Sequence, residues 1–296
     1  MENLRAIVLM VASMAGFAVE DMFVKWAAAD LPTGQILVMV GAFGTPVFAM
    51  MAARQGARVW SRDVWHPAVL GRNLAEVIGT LGFITSITLI PLAMASAILQ
   101  AAPLAVTCGA ALFLGEKVGW RRWSAIAAGF IGVMIVIRPG MDGFQPAALW
   151  GVLGVIGLSA RDLFTRKIPK RISSPQLAAW AFAAFVPLGA VMAAFTGGAV
   201  WPTPTQYGYL LGVLTFGVLA YWALVAATRI GEISVVTPFR YSRLVFALII
   251  GSLVFAEIPD RWTLIGSALI IASGLYTFAR ERRLKQRTLP MQTGPR

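Results

Sequence analysis

The chain has few of the residues from which catalytic and metal sites are usually built. Among its 296 residues it has one cysteine (Cys108), one histidine (His66) and only 13% charged residues, whereas soluble domains are about a quarter charged. A single cysteine cannot form an intramolecular disulfide, and a lone histidine preceding Pro67 in a basic loop favours a solvated side chain. Metal sites and Ser-His-Asp chemistry therefore have no candidates.

A phosphate-binding loop is missing as well. No glycine-rich stretch is followed by Lys-Ser or Lys-Thr, which excludes ATP hydrolysis of the P-loop type. The longest polar stretches are about 54–68 and the tail after Arg280, which leaves no room for a soluble catalytic domain. We expect no cofactor and no enzymatic activity, with a membrane-bound enzyme or assembly factor as an alternative.

Apolar residues dominate instead. They make up 58% of the chain, and the mean hydropathy is +0.75. About 20 mostly apolar residues cross a bilayer as a helix, which predicts an all-α membrane protein with ten spans. The first run continues into Glu20 and Asp21 without a small-residue cleavage site, so we expect it to remain in the mature protein. The predicted spans are 4–25, 33–53, 69–90, 94–115, 122–138, 147–166, 175–195, 207–229, 233–256 and 262–280.

Seven residues of the first half of the chain recur in the second half, each 141 residues further along. Gly16, Asp21, Phe23, Gln35, Pro46, Gly71 and Glu116 recur as Gly157, Asp162, Phe164, Gln176, Pro187, Gly212 and Glu257. An odd number of spans per copy places the second copy in the opposite orientation. The sequence thus predicts two inverted five-helix repeats at 1–141 and 142–280, followed by a basic tail at 281–296.

The net charge of +12 is a topology signal rather than a sign of nucleic-acid binding. With the N terminus inside, cytoplasmic segments hold 19 of the 25 lysines and arginines. Only Lys25, Arg138 and Arg261 lie on the other side. The positive-inside rule predicts an inner-membrane protein with both termini in the cytoplasm, and we expect the tail to lie against anionic lipid headgroups.

Seven charged residues fall inside predicted spans and away from the span ends. Each costs about 2.5 to 3.5 kcal/mol at the bilayer centre, so together they indicate a protein-lined or watery interior. Two aspartates have a structural interpretation, because Asp21 precedes Lys25 by four residues and Asp162 precedes Arg166 likewise. The seven, called the embedded charges below, are Glu20, Asp21, Glu76, Arg161, Asp162, Arg240 and Arg243.

Four of the other embedded charges share one half of the membrane. From their helix ends, Glu76 and Arg161 lie about 6 to 7 Å deep and the other two arginines about 10 to 15 Å deep. Arg240 and Arg243 point the same way and require a counter-ion, either Glu76 or a substrate carboxylate. Protons are the candidate coupling ion, with Glu76 as the carboxylate that would carry them.

The ninth span contains a helix-breaking signal beside these arginines. Pro238 removes a backbone hydrogen bond early in the helix, and transporters build substrate sites at broken helices. In the 141-residue register Gln100 lies opposite Tyr241, so we expect these two to meet near the midplane. Phe83 and Phe239 could join the aromatic lining. The predicted substrate-binding residues are Phe17, Glu76, Gln100, Arg161, Tyr221, Trp222, Arg240, Tyr241 and Arg243.

The span ends carry a recognisable motif. Leu114-Gly115-Glu116-Lys117 closes the fourth span and Phe255-Ala256-Glu257 the ninth; with the duplication, this resembles the EamA-type members of the drug/metabolite transporter (DMT) superfamily over nearly the whole chain. The resemblance implies a ten-helix transporter with the third, fourth, eighth and ninth spans around a cavity, and Glu116 and Glu257 as structural residues. The chain also resembles aromatic amino acid exporters of the YddG type. Ala256 departs from the usual Gly-Glu.

These observations predict a secondary transporter that exports amino acids, aromatic or otherwise apolar, or similar amphipathic metabolites. Paired arginines suit a carboxylate, aromatic walls suit an apolar side chain, and Glu76 could hold the amine. The alternative within transport is a multidrug or organic-cation exporter. That alternative predicts dependence on Glu20, Asp21 or Glu76 and indifference to the arginines.

Overall fold

The computed structural model describes residues 2–116, 118–169, 171–195 and 198–288, with only the backbone described at 233–234 and 281–288. This part of the chain is helical and contains no strand, so the predicted all-α class is confirmed. The helices are α1 (Glu2–Ala27), α2 (Thr33–Arg54), α3 (Pro67–Leu89), α4 (Leu92–Leu99), α5 (Ala102–Phe113), α6 (Trp120–Ile137), α7 (Ala148–Thr165), α8 (Ser174–Phe195), α9 (Pro204–Ile230), α10 (Ile233–Val236), α11 (Ser242–Val254) and α12 (Arg261–Thr288).

Each predicted span coincides with one of these helices or with a broken helix. The fourth span consists of α4 and α5, and the ninth consists of α10, a 3₁₀ segment (Thr237–Tyr241) and α11. Among the described residues, nine helical segments are long and apolar enough to cross a membrane. The helix outside that set is α3, which carries Arg72 and Glu76 and runs beside α7.

Helices of the first repeat pack mainly on helices of the second. The most extensive pairs are α2 with α8, α3 with α7, α1 with α9, and α6 with α12. A two-fold axis that exchanges the repeats turns the α3–α7 pair into the α9–α1 pair. The two halves are therefore interleaved in one bundle, as an inverted duplication requires.

Individual contacts repeat at the same offset of 141 residues. A Cβ on Gly157 would lie 2.5 Å from the Cα of Gly79, and a Cβ on Gly16 would lie 3.0 Å from the Cβ of Ala220. These are equivalent contacts, because residue 79 corresponds to 220 and residue 16 to 157. Small residues allow the helix backbones to approach closely, as they do in membrane helix pairs.

Two glutamines repeat the same arrangement at opposite ends of the bundle. Gln35 Nε2 donates to the carbonyl of Val200 at 2.6 Å, and Gln176 Nε2 donates to the carbonyl of Arg58 at 2.9 Å. Each buried amide ties a helix start to a loop of the other repeat. The duplication read from the sequence is thus also a duplication of tertiary contacts.

The outer surface of the bundle carries large apolar side chains, which suit contact with lipid. Exposed examples are Leu4, Val8, Phe43, Ile131, Ile156 and Leu211. At the C-terminal end the α12 backbone continues to Thr288, eight residues into the predicted tail. The predicted headgroup contact of that tail depends on side chains from residue 281 onward and on residues 289–296, which lie outside the described part of the chain.

Candidate functional site

The candidate site is built around two helix breaks that are equivalent in the two repeats. α4 ends at Leu99 and α5 begins at Ala102, while the 3₁₀ segment ends at Tyr241 and α11 begins at Ser242. Prolines contribute to both breaks: Pro103 lies in the first turn of α5 and Pro238 in the first turn of the 3₁₀ segment. A proline has no N–H to donate, so the backbone ladder is interrupted there.

The two breaks are joined by one hydrogen bond. Gln100 Nε2 donates to the backbone carbonyl of Arg240 at 3.2 Å. The expected meeting of Gln100 with Tyr241 is wrong in this detail, because the partner is the neighbouring residue's carbonyl. Tyr241 is 5% exposed and faces α12, where its hydroxyl occupies the space that a Cβ on Gly274 would need. That hydroxyl forms no hydrogen bond with the described residues.

Arg243 is held on three sides. Its guanidinium donates to both carboxylate oxygens of Asp21, at 2.7 to 3.2 Å. It also lies over the rings of Phe17 and Phe83, at 5.3 and 5.1 Å from their centroids. Cation–π contact with two rings and a bidentate carboxylate leave little of this guanidinium for a substrate. The predicted role of Arg243 as a carboxylate ligand is therefore not what the geometry favours.

Glu76 is neutralised by two other arginines. Arg72 Nη2 lies 3.0 Å from its Oε2, and Arg161 Nη1 lies 3.0 Å from its Oε1. Arg161 also bonds Asp162, at 2.8 Å. The expectation that Arg240 or Arg243 would be the counter-ion of Glu76 is wrong, and Arg72, which the sequence reasoning did not include, is part of this cluster.

The aspartates do not pair with the cations four residues later. Asp21 pairs with Arg243 and Asp162 with Arg161, as described above. Lys25 instead forms an ion pair with Glu257, and Arg166 bonds Glu116 at 2.5 Å. These two pairs are equivalent, because residues 25 and 116 correspond to residues 166 and 257 in the 141-residue register. The register is therefore the sequence pattern from which both pairs could have been predicted.

Arg240 is the embedded arginine whose guanidinium has no ion pair or hydrogen bond to any described residue. It is partly exposed, and its electrostatic neighbours are Asp162, Arg161, Arg243 and Tyr241. A guanidinium presents five donors and matches a carboxylate bidentately. An unpaired one beside a helix break is the best-placed anion ligand in this part of the molecule.

Glu20 is its acidic counterpart, a carboxylate without a hydrogen bond or ion pair to a described residue. Its Oε1 lies over Gly217 of α9, 2.8 Å from where a Cβ would be. In the 141-residue register Glu20 corresponds to Arg161 and Gly217 to Glu76. The Glu76–Arg161 ion pair of one half is thus replaced in the other half by a glutamate that faces a glycine.

Tyr221 and Trp222 line a different pocket. The Tyr221 ring packs on Phe48 at 5.1 Å between centroids, and Trp222 is 55% exposed. Both border a pocket of about 190 Å³ between α2, α8 and α9, with Met51, Gln55, Pro175, Val225, Ala226 and Arg229. None of the embedded charges lines it. The sequence predicted both aromatics around Gln100 and Tyr241, but Tyr221 instead has Arg72, Glu76 and Arg161 among its electrostatic neighbours. Phe17 and Phe83 lie against Arg243.

No group of three or more His, Cys, Asp or Glu side chains suited to a metal ion occurs in the described residues. What the arrangement offers is a set of charges inside an apolar bundle, most of them paired across helices. Such a set can bind and release a charged solute. Within the described part of the chain, this set of charges does not present a nucleophile paired with a base.

Comparison with known proteins agrees with this interpretation. Residues 4–138 and 145–279 each match the EamA-like transporter family. The chain is 30% identical over 218 residues to a riboflavin transporter of Rhizobium johnstonii, covering 74% of this chain and 72% of that protein. It is 28% identical over 218 residues to an S-adenosylmethionine uptake transporter of Rickettsia felis, covering 73% of each chain.

A pseudopaline exporter of Pseudomonas aeruginosa is 25% identical over 268 residues, covering 90% of this chain and 93% of that one. A solved crystal structure superimposes with a TM-score of 0.61 over 95% of this chain and 98% of its own, at 17% identity, which shows the fold alone. These relatives do not confirm the finer likeness to aromatic amino acid exporters. Two family matches cover nearly all of the chain, and the relatives are transporters rather than enzymes. The chain therefore belongs to the EamA-like transporter family of the DMT superfamily and is a multi-pass membrane transporter.

Proposed function

We propose that this transporter exports amino acids with apolar or aromatic side chains, or similar amphipathic metabolites, across the inner membrane by alternating access. The observation that carries the proposal is the guanidinium of Arg240 beside the broken ninth span, which has no ion pair or hydrogen bond to a described residue. Export is supported by the pseudopaline exporter, which of the three relatives above matches the largest share of this chain. The other two are a riboflavin transporter and an uptake transporter.

The amine of an amino acid needs an acidic partner, and we assign that role to Glu20 rather than to Glu76. The Glu76 carboxylate already accepts hydrogen bonds from two arginines. Glu20 instead faces Gly217, which has no side chain that could pair with it. Phe17 stands three residues before Glu20 on α1 and would offer the apolar surface. If transport is coupled to protons, Glu20 is also the carboxylate we propose for them, with Asp21 and Arg243 as its charged neighbours.

A substrate panel in proteoliposomes tests this assignment. We expect a zwitterionic amino acid to be transported, and its methyl ester and its N-acetyl derivative each to lose most of that transport. Glu20→Gln should reduce transport of the free amino acid while leaving the already weak N-acetyl derivative unchanged. Glu76→Gln, in which two arginines lose their shared partner, serves as the matched control, and it should lower the melting temperature instead.

The outcome separates the two functions under consideration. Transport of organic cations that depends on Glu20 but is indifferent to Arg240 would favour the multidrug exporter. Transport of the ester at the same rate as the free acid would contradict the carboxylate role of Arg240. The comparison uses initial rates at several concentrations, so that loss of affinity is distinguished from loss of protein.

The orientation is a second proposal, motivated by the 19 basic residues on one side. We expect both termini and the loop around Arg58 to be cytoplasmic. A cysteine introduced at Arg58 in a Cys108→Ala background should react with a membrane-impermeant maleimide only after the cells are opened. A cysteine at Ile258, which is 91% exposed, is the control and should react in intact cells. The reverse pattern would invert the topology.

A further inference from the structure

Two ion pairs occupy equivalent positions at opposite ends of the bundle. Lys25 follows α1's embedded acids and pairs with Glu257, which comes just after α11. Arg166 follows α7 and pairs with Glu116, which comes just after α5. Subtracting 141 from residues 257 and 166 gives residues 116 and 25, so the second pair is the first with the repeats exchanged.

The chain positions both glutamates by the same local turn. α5 is followed by Gly115 with φ of 67°, and α11 is followed by Ala256 with φ of 53°. In each case the next N–H, that of the glutamate, donates back to a helix carbonyl, at Ala110 or Gly251. Glycine adopts this left-handed conformation freely, whereas alanine adopts it at a cost of about 1 to 2 kcal/mol, so the second repeat keeps the turn even where the favourable residue is missing.

The Lys25–Glu257 ion pair also contacts the start of α4, the first part of the broken fourth span. Glu257 Oε2 accepts the N–H of Leu92, the first residue of α4, at 2.8 Å. Lys25 Nζ donates to the carbonyl of Ile90 at 2.9 Å. A carboxylate at a helix N-terminus is also favoured by the helix dipole. One ion pair therefore fastens the ends of α1 and α11, which belong to different repeats, to the start of α4.

The pair at the Arg166 end is far less enclosed. Both of its side chains are 46% exposed, compared with 16% for Lys25 and 17% for Glu257. If this end made the same contacts as the Lys25 end, Glu116 would accept the N–H of Ile233 at the start of α10, and Arg166 would donate to the carbonyl of Gly231. The one described partner of the Glu116 carboxylate is Arg166.

Aromatic side chains add to the closure at the Lys25 end. Lys25 Nζ lies 5.3 Å from the Phe255 ring centroid, and Trp26 contacts Phe255 and Tyr209 at 6.0 and 5.5 Å. The equivalent positions in the other repeat are Leu114, Lys167 and Ala68, which are not aromatic. The Lys25 end therefore has aromatic contacts that the equivalent residues at the Arg166 end cannot make.

We propose that Lys25–Glu257 and Arg166–Glu116 are reciprocal gates of the transport cycle; in this structure both ion pairs are formed, but the first is enclosed against α4 and the second is open to solvent. When the repeats exchange conformations, Arg166–Glu116 closes on α10 and Lys25–Glu257 releases α4. Each gate joins the two repeats and follows a broken span, so an exchange of conformation between the repeats would close one end while it opens the other. This inference rests on the proposed alternating access, but it does not depend on which substrate is carried.

The test measures distances across each end, independently of any substrate. Spin labels at Ala29 and Ile258 report on the Lys25 end, and labels at Gly119 and Lys167 report on the Arg166 end, all in a Cys108→Ala background. We expect Glu257→Gln to lengthen the first distance and shorten the second. Glu116→Gln should do the opposite. A tenfold change in the ratio of the two states, equivalent to about 1.4 kcal/mol, is the expected order of effect.

Arg138–Asp260 is the matched control. It is another ion pair between the repeats, with Arg138 Nη2 2.5 Å from Asp260 Oδ2, but the equivalent positions hold Ala279 and Gly119, which cannot form an ion pair. Partial burial disfavours the charged form of Asp260, yet hydrogen bonds from Thr263 and Arg138 outweigh it and hold the pKa of Asp260 below its usual range. Arg138→Gln should lower the melting temperature without shifting the two distances in opposite directions.

Two further variants keep the test decisive if a glutamate variant folds poorly. Lys25→Gln and Arg166→Gln remove each ion pair while retaining the carboxylate, and they should shift the distances as the corresponding glutamate variants do, to a smaller extent. Shifts in the same direction from both ends, or shifts no larger than that of Arg138→Gln, would overturn the gate assignment. A transporter that gates as described but ignores amino acids would leave this inference standing while contradicting the proposed substrate.

Discussion

Replacing Arg240 with glutamine is expected to weaken substrate binding tenfold to a hundredfold while hardly changing the melting temperature. The Arg240 guanidinium makes no ion pair with a described residue, so its removal leaves no protein carboxylate uncompensated. A charge-assisted hydrogen bond to a substrate carboxylate contributes about 1.5 to 3 kcal/mol, and about 1.4 kcal/mol is a factor of ten in affinity. Equilibrium binding and thermal unfolding, measured on the same purified protein, check both parts.

Arg240→Lys and Arg243→Gln complete that experiment. Lysine keeps the charge but not the two-pronged donor geometry, so partial retention of affinity is expected. The Arg243→Gln protein that survives purification should bind substrate with nearly normal affinity, because the Arg243 guanidinium is already paired with Asp21 and is not free for the substrate. Unchanged affinity in Arg240→Gln would remove this arginine from the substrate site.

Replacing Arg243 with glutamine should cause the largest loss of stability among the embedded charges. Asp21 is left inside the bundle without its bidentate partner, and its side chain is only 5% exposed. Removing one member of a buried pair costs about 3 to 5 kcal/mol. The two cation–π contacts, with Phe17 and Phe83, are lost at the same time. Thermal unfolding in detergent and expression level measure the effect.

The double variant Asp21→Asn with Arg243→Gln distinguishes a lost ion pair from general disruption. Removing both charges eliminates the uncompensated carboxylate, so the double variant should be more stable than Arg243→Gln alone. Arg229→Gln, at the exposed end of α9, is a surface control with little expected effect. A double variant that is as unstable as the sum of the two single variants would indicate that the pair is not the source of the stability.

The sequence predicted the fold well because its signals are local. Span length and apolar composition depend on neighbours along the chain, and ten runs coincide with the helices or broken helices of the structure. Pro238 was identified as a helix-breaking signal for the same reason, since a missing N–H disrupts only its own helix. The break in the fourth span at Gln100 and Ala101 was less visible, because Pro103 lies after it.

The partners of the embedded charges were predicted less well. Pairing Asp21 with Lys25 relied on spacing within one helix, which contributes only a few tenths of a kcal/mol. The partner found in the bundle is Arg243, 222 residues away, in a bidentate arrangement with two rings. A stronger contact between helices overrides the weaker contact within one.

The sequence by itself determined the helical class, the positions of the ten helical runs and the duplication, because these follow from composition and from order along the chain. Only the tertiary structure decided which charges neutralise each other and which remain unpaired. Helix axes pack about 8 to 10 Å apart, so a long arginine can reach carboxylates on more than one neighbouring helix, and the packing of the repeats selects among them. That selection leaves Arg240 and Glu20 without an ion-pair partner among the described residues.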